Sequence, residues 1–157
     1  MPSPAFNIQI KGLDSLVANT QKAGDDLPGL LLQTMKKATT QIKNDARRIR
    51  PGSFKNQTGN LRRSIDRRVF SAARGVVFVG EKYGKYVEFG TKPHIIRPKS
   101  AKMLAFKVNG QLVFARQVRH PGSRPYPYME PAFRENKDKV LKEYARVAQV
   151  VVERMAK

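Results

Sequence analysis

Ile65-Asp66-Arg67-Arg68-Val69-Phe70-Ser71-Ala72, continuing through Ala73-Arg74 into Gly75-Val76-Val77-Phe78-Val79-Gly80, is the stretch that decides the fold. Two strand-like runs meet at a turn near Ala73-Arg74-Gly75, and a connection that short joins antiparallel neighbours. In the second run four apolar residues, Val76 to Val79, follow one another without alternation. A half-wet strand alternates, so this one is expected to lie centrally and well covered.

Working outward, the pattern predicts helices that supply the cover. Leu31, Met35, Ala38, Ile42, Ala46 and Ile49 step by three and four residues and form one apolar stripe. Pro28 opens that helix, where its missing N–H is harmless, and Pro51-Gly52 is expected to stop it. Before it, Ala5 to Lys11 alternates as a strand ended by Gly12, and a short helix over about 13–24 carries Leu13, Leu16 and Val17 on one face. Residues 51–60 read as a loop. Tyr83 to Phe89 reads as a helical turn, and 92–100 as a second loop. Residues 103–116 read as a β-hairpin about Asn109-Gly110, the strongest short hairpin signal. Four prolines over 117–131 make 117–130 an irregular crossing. A last helix begins near Pro131, with Val140, Tyr144, Val147, Val151 and Met155 on one stripe and Leu141, Ala145, Ala148 and Val152 beside it. The sum is an α+β fold in a single domain, 1–157: an antiparallel sheet of about four to five strands packed by a long central helix and a C-terminal helix.

At 157 residues the chain suits one domain. It has no cysteine, which excludes disulfides, thiolate metal sites and thiol nucleophiles. No apolar run has the length of a membrane span or a secretory leader, so a protein of a reducing compartment with no membrane partner is expected. The charge is extreme: 31 Lys and Arg oppose 12 Asp and Glu, for +19. Residues 28–75 hold +10 of it and 76–129 hold +8, so the polycation is built into folded segments rather than a tail. A polyanionic neighbour follows: nucleic acid, anionic lipid or an acidic protein.

Catalytic chemistry is poorly supplied. His94 and His120 each adjoin a proline and read as turn-shaping residues; a metal shared with Glu88 is the alternative. Between residues 27 and 129 the only acids are Asp45, Asp66, Glu81 and Glu88, too few and too scattered to hold catalytic magnesium. Gly80-Glu81-Lys82-Tyr83-Gly84 is no phosphate cradle. A non-enzyme without cofactor or metal is expected. Lys43, Arg47, Arg50, Arg62, Arg63, Arg67 and Arg68 are candidate contacts to DNA phosphates or an acidic partner, and Asp66 among them relieves their repulsion. Tyr83, Tyr86 and Phe89 read as core anchors near a sheet end, with base stacking as the alternative.

Three stretches resemble a known family. Thr58-Gly59-Asn60-Leu61-Arg62-Arg63-Ser64-Ile65 is similar to its T-G-x-L-R-x-S-I element, and Tyr83-Gly84-Lys85-Tyr86-Val87-Glu88-Phe89-Gly90-Thr91 to its Y-x-x-Y-V-E-F-G-T signature. His120-Pro121-Gly122, then Pro127-Tyr128-Met129-Glu130-Pro131-Ala132, resembles its H-P-G and P-F-[LM]-x-P-A ending. The family is the head–tail joining proteins of long-tailed bacteriophages, also called neck, tail-completion or minor tail component proteins. Tyr128 stands for the usual Phe, and Tyr126 stands where many members carry Arg. The resemblance implies a virion structural protein at the head–tail junction, formed in the host cytoplasm. Its implied partners are connector or head-completion proteins, tail-tube or tail-terminator proteins, and DNA passing nonspecifically through the lumen. It also implies a cyclic homo-oligomer, on the order of six or twelve copies. Thr58, Gly59, Leu61, Tyr83, Tyr86, Glu88, Phe89, Gly90, Pro127 and Pro131 are its motif residues here. Glu88 bonds local backbone or a nearby cation on one reading, and a neighbouring subunit on another. A free, sequence-nonspecific nucleic-acid-binding protein is the competing function.

Overall fold

The two runs that meet at Arg74 pair as antiparallel neighbours in a computed structural model, which describes residues 5–11, 27–48 and 58–155. β1 (Ala5–Gln9), β2 (Ile65–Val69) and β3 (Arg74–Val79) form one sheet in the order β1-β3-β2. β3 is therefore central, as its unbroken apolar run requires. Val77 and Val79 are fully buried, and Val76 and Phe78 are half-buried on the other face.

The long helix, α1 (Leu27–Ala46), lies against β2 and β3. Its stripe is the core: Leu31, Met35, Ala38, Ile42 and Ala46 are all buried. It ends before the expected Pro51. The Arg47 N–H still reaches the Lys43 carbonyl, but the Arg48 N–H bonds Asp45, three residues back, so the last turn tightens. Ile49, Arg50, most of the 51–60 loop and the short 13–24 helix lie outside the described residues.

α2 (Asn60–Ser64) and α3 (Gly84–Phe89) are single-turn pieces at the same end of the sheet, and α4 (Met129–Met155) crosses back over α1. The first of these lies between the expected loop, which ends at residue 60, and the expected strand from Ile65, where no helix is expected. α4 buries Met129, Ala132, Asn136 and Tyr144, so its inner stripe contains one amide. Asn136 Nδ2 donates to Asp45 Oδ2 at 2.7 Å, a buried link between the two long helices. The Tyr144 hydroxyl donates to the Ala72 carbonyl at 2.7 Å and so ties α4 to the β2–β3 turn. Leu141, expected on a broad buried face, is 48% exposed: the buried face is narrower than its apolar residues suggest.

Residues 91–123 leave this core as an arm. β4 (His94–Ile96) pairs with β7 (Val118–His120), and β5 (Leu104–Val108) with β6 (Gln111–Ala115), both antiparallel. The hairpin over 103–116 is thus as expected. Asn109 (φ 49°) and Gly110 (φ 83°) supply its two left-handed turn residues. The loops 92–100 and 117–130, expected to be irregular, contain the pairing strands β4 and β7. Their prolines 93, 98 and 121 flank these three-residue strands instead of interrupting them. The strands are antiparallel throughout, but they divide among three sheets rather than forming one of four or five.

Candidate functional site

The signature residues converge where α2, α3 and the start of α4 meet. α3 sorts its own side chains by helical spacing. Gly84, Val87 and Glu88 turn inward, while Tyr83, Tyr86 and Phe89 fall on the outer side. These three aromatics are 42%, 50% and 66% exposed, so they are not the core anchors expected of them. The inner face is so tight that a Cβ on Gly84 would lie 2.7 Å from Val79 Cγ1 and 2.9 Å from the Tyr128 hydroxyl.

Glu88 is buried at 2% exposure, and both carboxylate oxygens accept backbone hydrogen bonds. Oε2 takes the N–H of Tyr128 at 2.8 Å and of Met129 at 3.0 Å, and Oε1 takes that of Glu130 at 2.9 Å. The next residue is Pro131, which has no N–H. All the donors that α4 leaves open at its start are therefore met, by one distant carboxylate and one proline. The negative charge also sits at the positive end of the helix dipole. Of the two readings of Glu88, the geometry is that of the local backbone bond.

The neighbouring element is built to the same end. Leu61 and Ile65 enter the core, the Ser64 hydroxyl donates to the Leu61 carbonyl, and Gly80 N–H bonds the Ser64 carbonyl. Burial holds the Tyr128 phenol above the ordinary tyrosine range, with Glu88 adding to the effect. Pro127 stays exposed.

The candidate cations are brought together only in part. Arg47 lays its guanidinium over the end of α2, with Nη2 at 2.6 Å and Nε at 3.2 Å from the Ile65 carbonyl. Arg63 folds back onto the Thr58 carbonyl and the Asn60 side chain. With Arg62 and Gly59 they line a cleft of about 330 Å³. Strand alternation sends Arg67 and Arg68 to opposite faces of β2, so the two do not join one band. Lys43 reaches Asp66 at 3.7 Å. The Arg67 backbone N–H, and after it Lys43 and Arg47, hold the Asp66 carboxyl below its usual range. Arg50 lies outside the described residues.

His94 and His120 do meet, although they are distant in sequence. They are cross-strand partners of β4 and β7, with stacked rings 5.0 Å apart. His94 Nδ1 contacts the Lys92 carbonyl and His120 Nδ1 accepts the Gly122 N–H, so both rings help to shape the turns beside them. Glu88 is occupied elsewhere, and among the described residues no cluster of three His, Asp or Glu could hold a metal.

Residues 14–90 match a family model described as "Bacteriophage HK97-gp10, putative tail-component". These residues belong to the HK97-gp10-like family. The match takes in α1, α2, β2, β3 and α3, and it ends at Gly90, the last residue before the arm. No curated protein and no solved structure matches the chain. The family so described is one of bacteriophage tail components, structural parts of the virion that work among other phage proteins. No helix among the described residues is long and apolar enough to cross a membrane.

Two features of the fold escaped the sequence reading. The Asp45–Asn136 link had a faint signal, since Asn136 interrupts the spacing Met129, Ala132, Val140, Tyr144. The cap on α4 had none beyond the motifs themselves, because Glu88 and Tyr128 lie 40 residues apart.

Proposed function

We propose that this chain joins tail to head at the phage head–tail junction, as a non-enzymatic ring subunit around the DNA path. The family match over residues 14–90 carries the reading. A charge of +19 suits a protein whose lumen meets DNA and whose rim meets acidic neighbours. In this reading Arg47, Arg62 and Arg63 face phosphate from their shared cleft, with Lys43, Arg67, Arg68 and Arg50 contributing separately. Glu88, Gly90, Leu61 and Pro131 hold the scaffold, with Thr58, Gly59 and Pro127 shaping its turns. Tyr83, Tyr86 and Phe89 lie on an outer face open to a neighbour. The 157 residues act as one domain, which the core shared by α1, α4 and the sheet supports.

Electron microscopy of lysates from a phage carrying a nonsense mutation in this gene tests the reading. Filled heads beside complete, unattached tails are expected. Overlong or missing tails would move the protein to tail termination, and normal infectious particles would refute the structural role. The arginine cleft also favours a second reading, a sequence-nonspecific DNA binder. Such a protein loses affinity with salt at a log–log slope of about 0.9 per phosphate contacted. A joining protein binds its particle partner more tightly than it binds free DNA.

A further inference from the structure

The arm from Thr91 to Ser123 is unlike the rest of the molecule in three ways. The first is its construction. The Thr91–Ser123 bridge, the β4–β7 pair and the β5–β6 pair form successive segments of one long antiparallel excursion. Between its two ladders the outgoing chain spends seven residues, 97–103, and the returning chain only two, 116 and 117. Five extra residues on one side make an asymmetric joint between base and tip.

The second is what it exposes. Seven of the twelve exposed large apolar side chains among the described residues belong to the arm: Ile95, Ile96, Met103, Val108, Leu112, Val113 and Phe114. In the hairpin they occupy both faces. Register puts Phe106 opposite Val113 on one face, and Ala105 opposite Phe114 with Lys107 opposite Leu112 on the other. Leu112 and Phe114 are 58% and 59% exposed. Among the described residues the two strands pack chiefly on each other. A two-stranded hairpin is marginal alone in water, and contiguous exposed apolar surface marks an interaction site.

The third is charge. From Thr91 to Ser123 there are seven Lys and Arg and no Asp or Glu. A second copy of a +19 chain is a poor occupant for such an arm. DNA phosphates give the apolar tip nothing to bury against, and Lys107 is the only cation on the tip strands. The occupant that suits both features is a protein with an apolar cleft and an acidic rim. We propose that this arm is the docking element of the chain, and that its two-faced tip inserts into such a cleft on another virion protein. The proposal rests on the junction reading above and names the surface that the reading leaves open.

The test uses the full-length protein with tailless heads and free tails, purified separately from lysates of phage lacking this gene product. Cosedimentation with one of the two particle types is expected. Leu112→Asp with Phe114→Asp should weaken it at least tenfold while circular dichroism and urea midpoint stay unchanged; Leu112→Ile with Phe114→Leu should retain it. Raising salt from about 0.05 to about 0.5 M should also weaken it, as the rim charges are screened. Equal binding by the Asp variant overturns the arm and leaves the junction reading standing. Binding of wild type to neither particle overturns both. Salt-independent binding refutes the acidic rim. Wild type that binds phosphatidylglycerol vesicles, or that self-associates through the same two residues, assigns the arm to lipid or to a second copy and refutes the proposal.

Discussion

Replacing Glu88 with alanine should loosen the start of α4 without touching the long apolar core. The carboxylate accepts three backbone N–H groups at 2.8, 3.0 and 2.9 Å and is almost wholly buried. Without it the Tyr128 and Met129 donors are left in a buried site, while Glu130, which is half-buried, can turn to water. Each stranded buried donor costs about 1–3 kcal/mol, and loss of a charge at a helix start adds up to about 1 kcal/mol. The expected loss is about 3–5 kcal/mol, among the larger effects of a single substitution. Against a total stability of about 5–15 kcal/mol, the variant still folds in the cold, but with a far lower urea midpoint. Glu88→Gln keeps one acceptor oxygen but turns an amide N–H₂ toward a donor, and should lose about 1–3 kcal/mol. Urea unfolding followed by circular dichroism, with the slope m held as a control, measures both. A loss below about 1 kcal/mol for Glu88→Ala at unchanged m would refute the capping argument. If such a stable variant then failed to assemble, the carboxylate would belong to a subunit contact instead.

Three further outcomes are expected. Gly90 sits at φ 70°, ψ −173°, a region only glycine enters cheaply, and a Cβ there would run into the Ser123 carbonyl and lie 2.9 Å from Pro125 N. Gly90→Ala should therefore lose at least about 3 kcal/mol in urea unfolding, and unchanged stability would contradict the geometry. Asn136→Ala removes the 2.7 Å bond to Asp45 and should cost about 2 kcal/mol, whereas a neutral result would mean that Gln41 and water suffice. Burial raises the Tyr128 and Tyr144 phenols in the folded state. Their neutral forms thus favour folding fully below the free-tyrosine pKa of about 10, and this contribution drains away as pH rises beyond it. Absorbance titration should show these two of the five tyrosines ionising only as ellipticity is lost; uniform ionisation of all five in a folded protein would count against it.

Periodic segments were legible because their signal is local. The α1 stripe, the central β3 run and the Asn109-Gly110 turn each state their structure within one turn of helix or a few residues of strand. Segments whose structure depends on a distant partner were not. β4 and β7 are three residues each and mean nothing until His94 finds His120. The outward set of Tyr83, Tyr86 and Phe89 depended on which side of a six-residue helix met α4, and aromatic content alone favours burial. The cationic residues were visible as a count, but strand alternation and backbone carbonyls dispersed them.

By itself the amino-acid order determined the α+β class, the two long helices, the antiparallel pairing at Arg74, the hairpin and the polycationic middle, since periodicity and turn chemistry act over a few residues. It also held the phage motifs, as residue types without roles. Tertiary structure alone decided that Glu88 caps a helix 40 residues away, that Asn136 meets Asp45, that Arg47, Arg62 and Arg63 share a cleft, and that the hairpin of the arm packs chiefly on itself with its apolar side chains exposed. The physical reason is the same for each. A hydrogen-bond acceptor, a buried amide or an exposed apolar face is defined by what lies across from it, and only the folded chain brings those groups together.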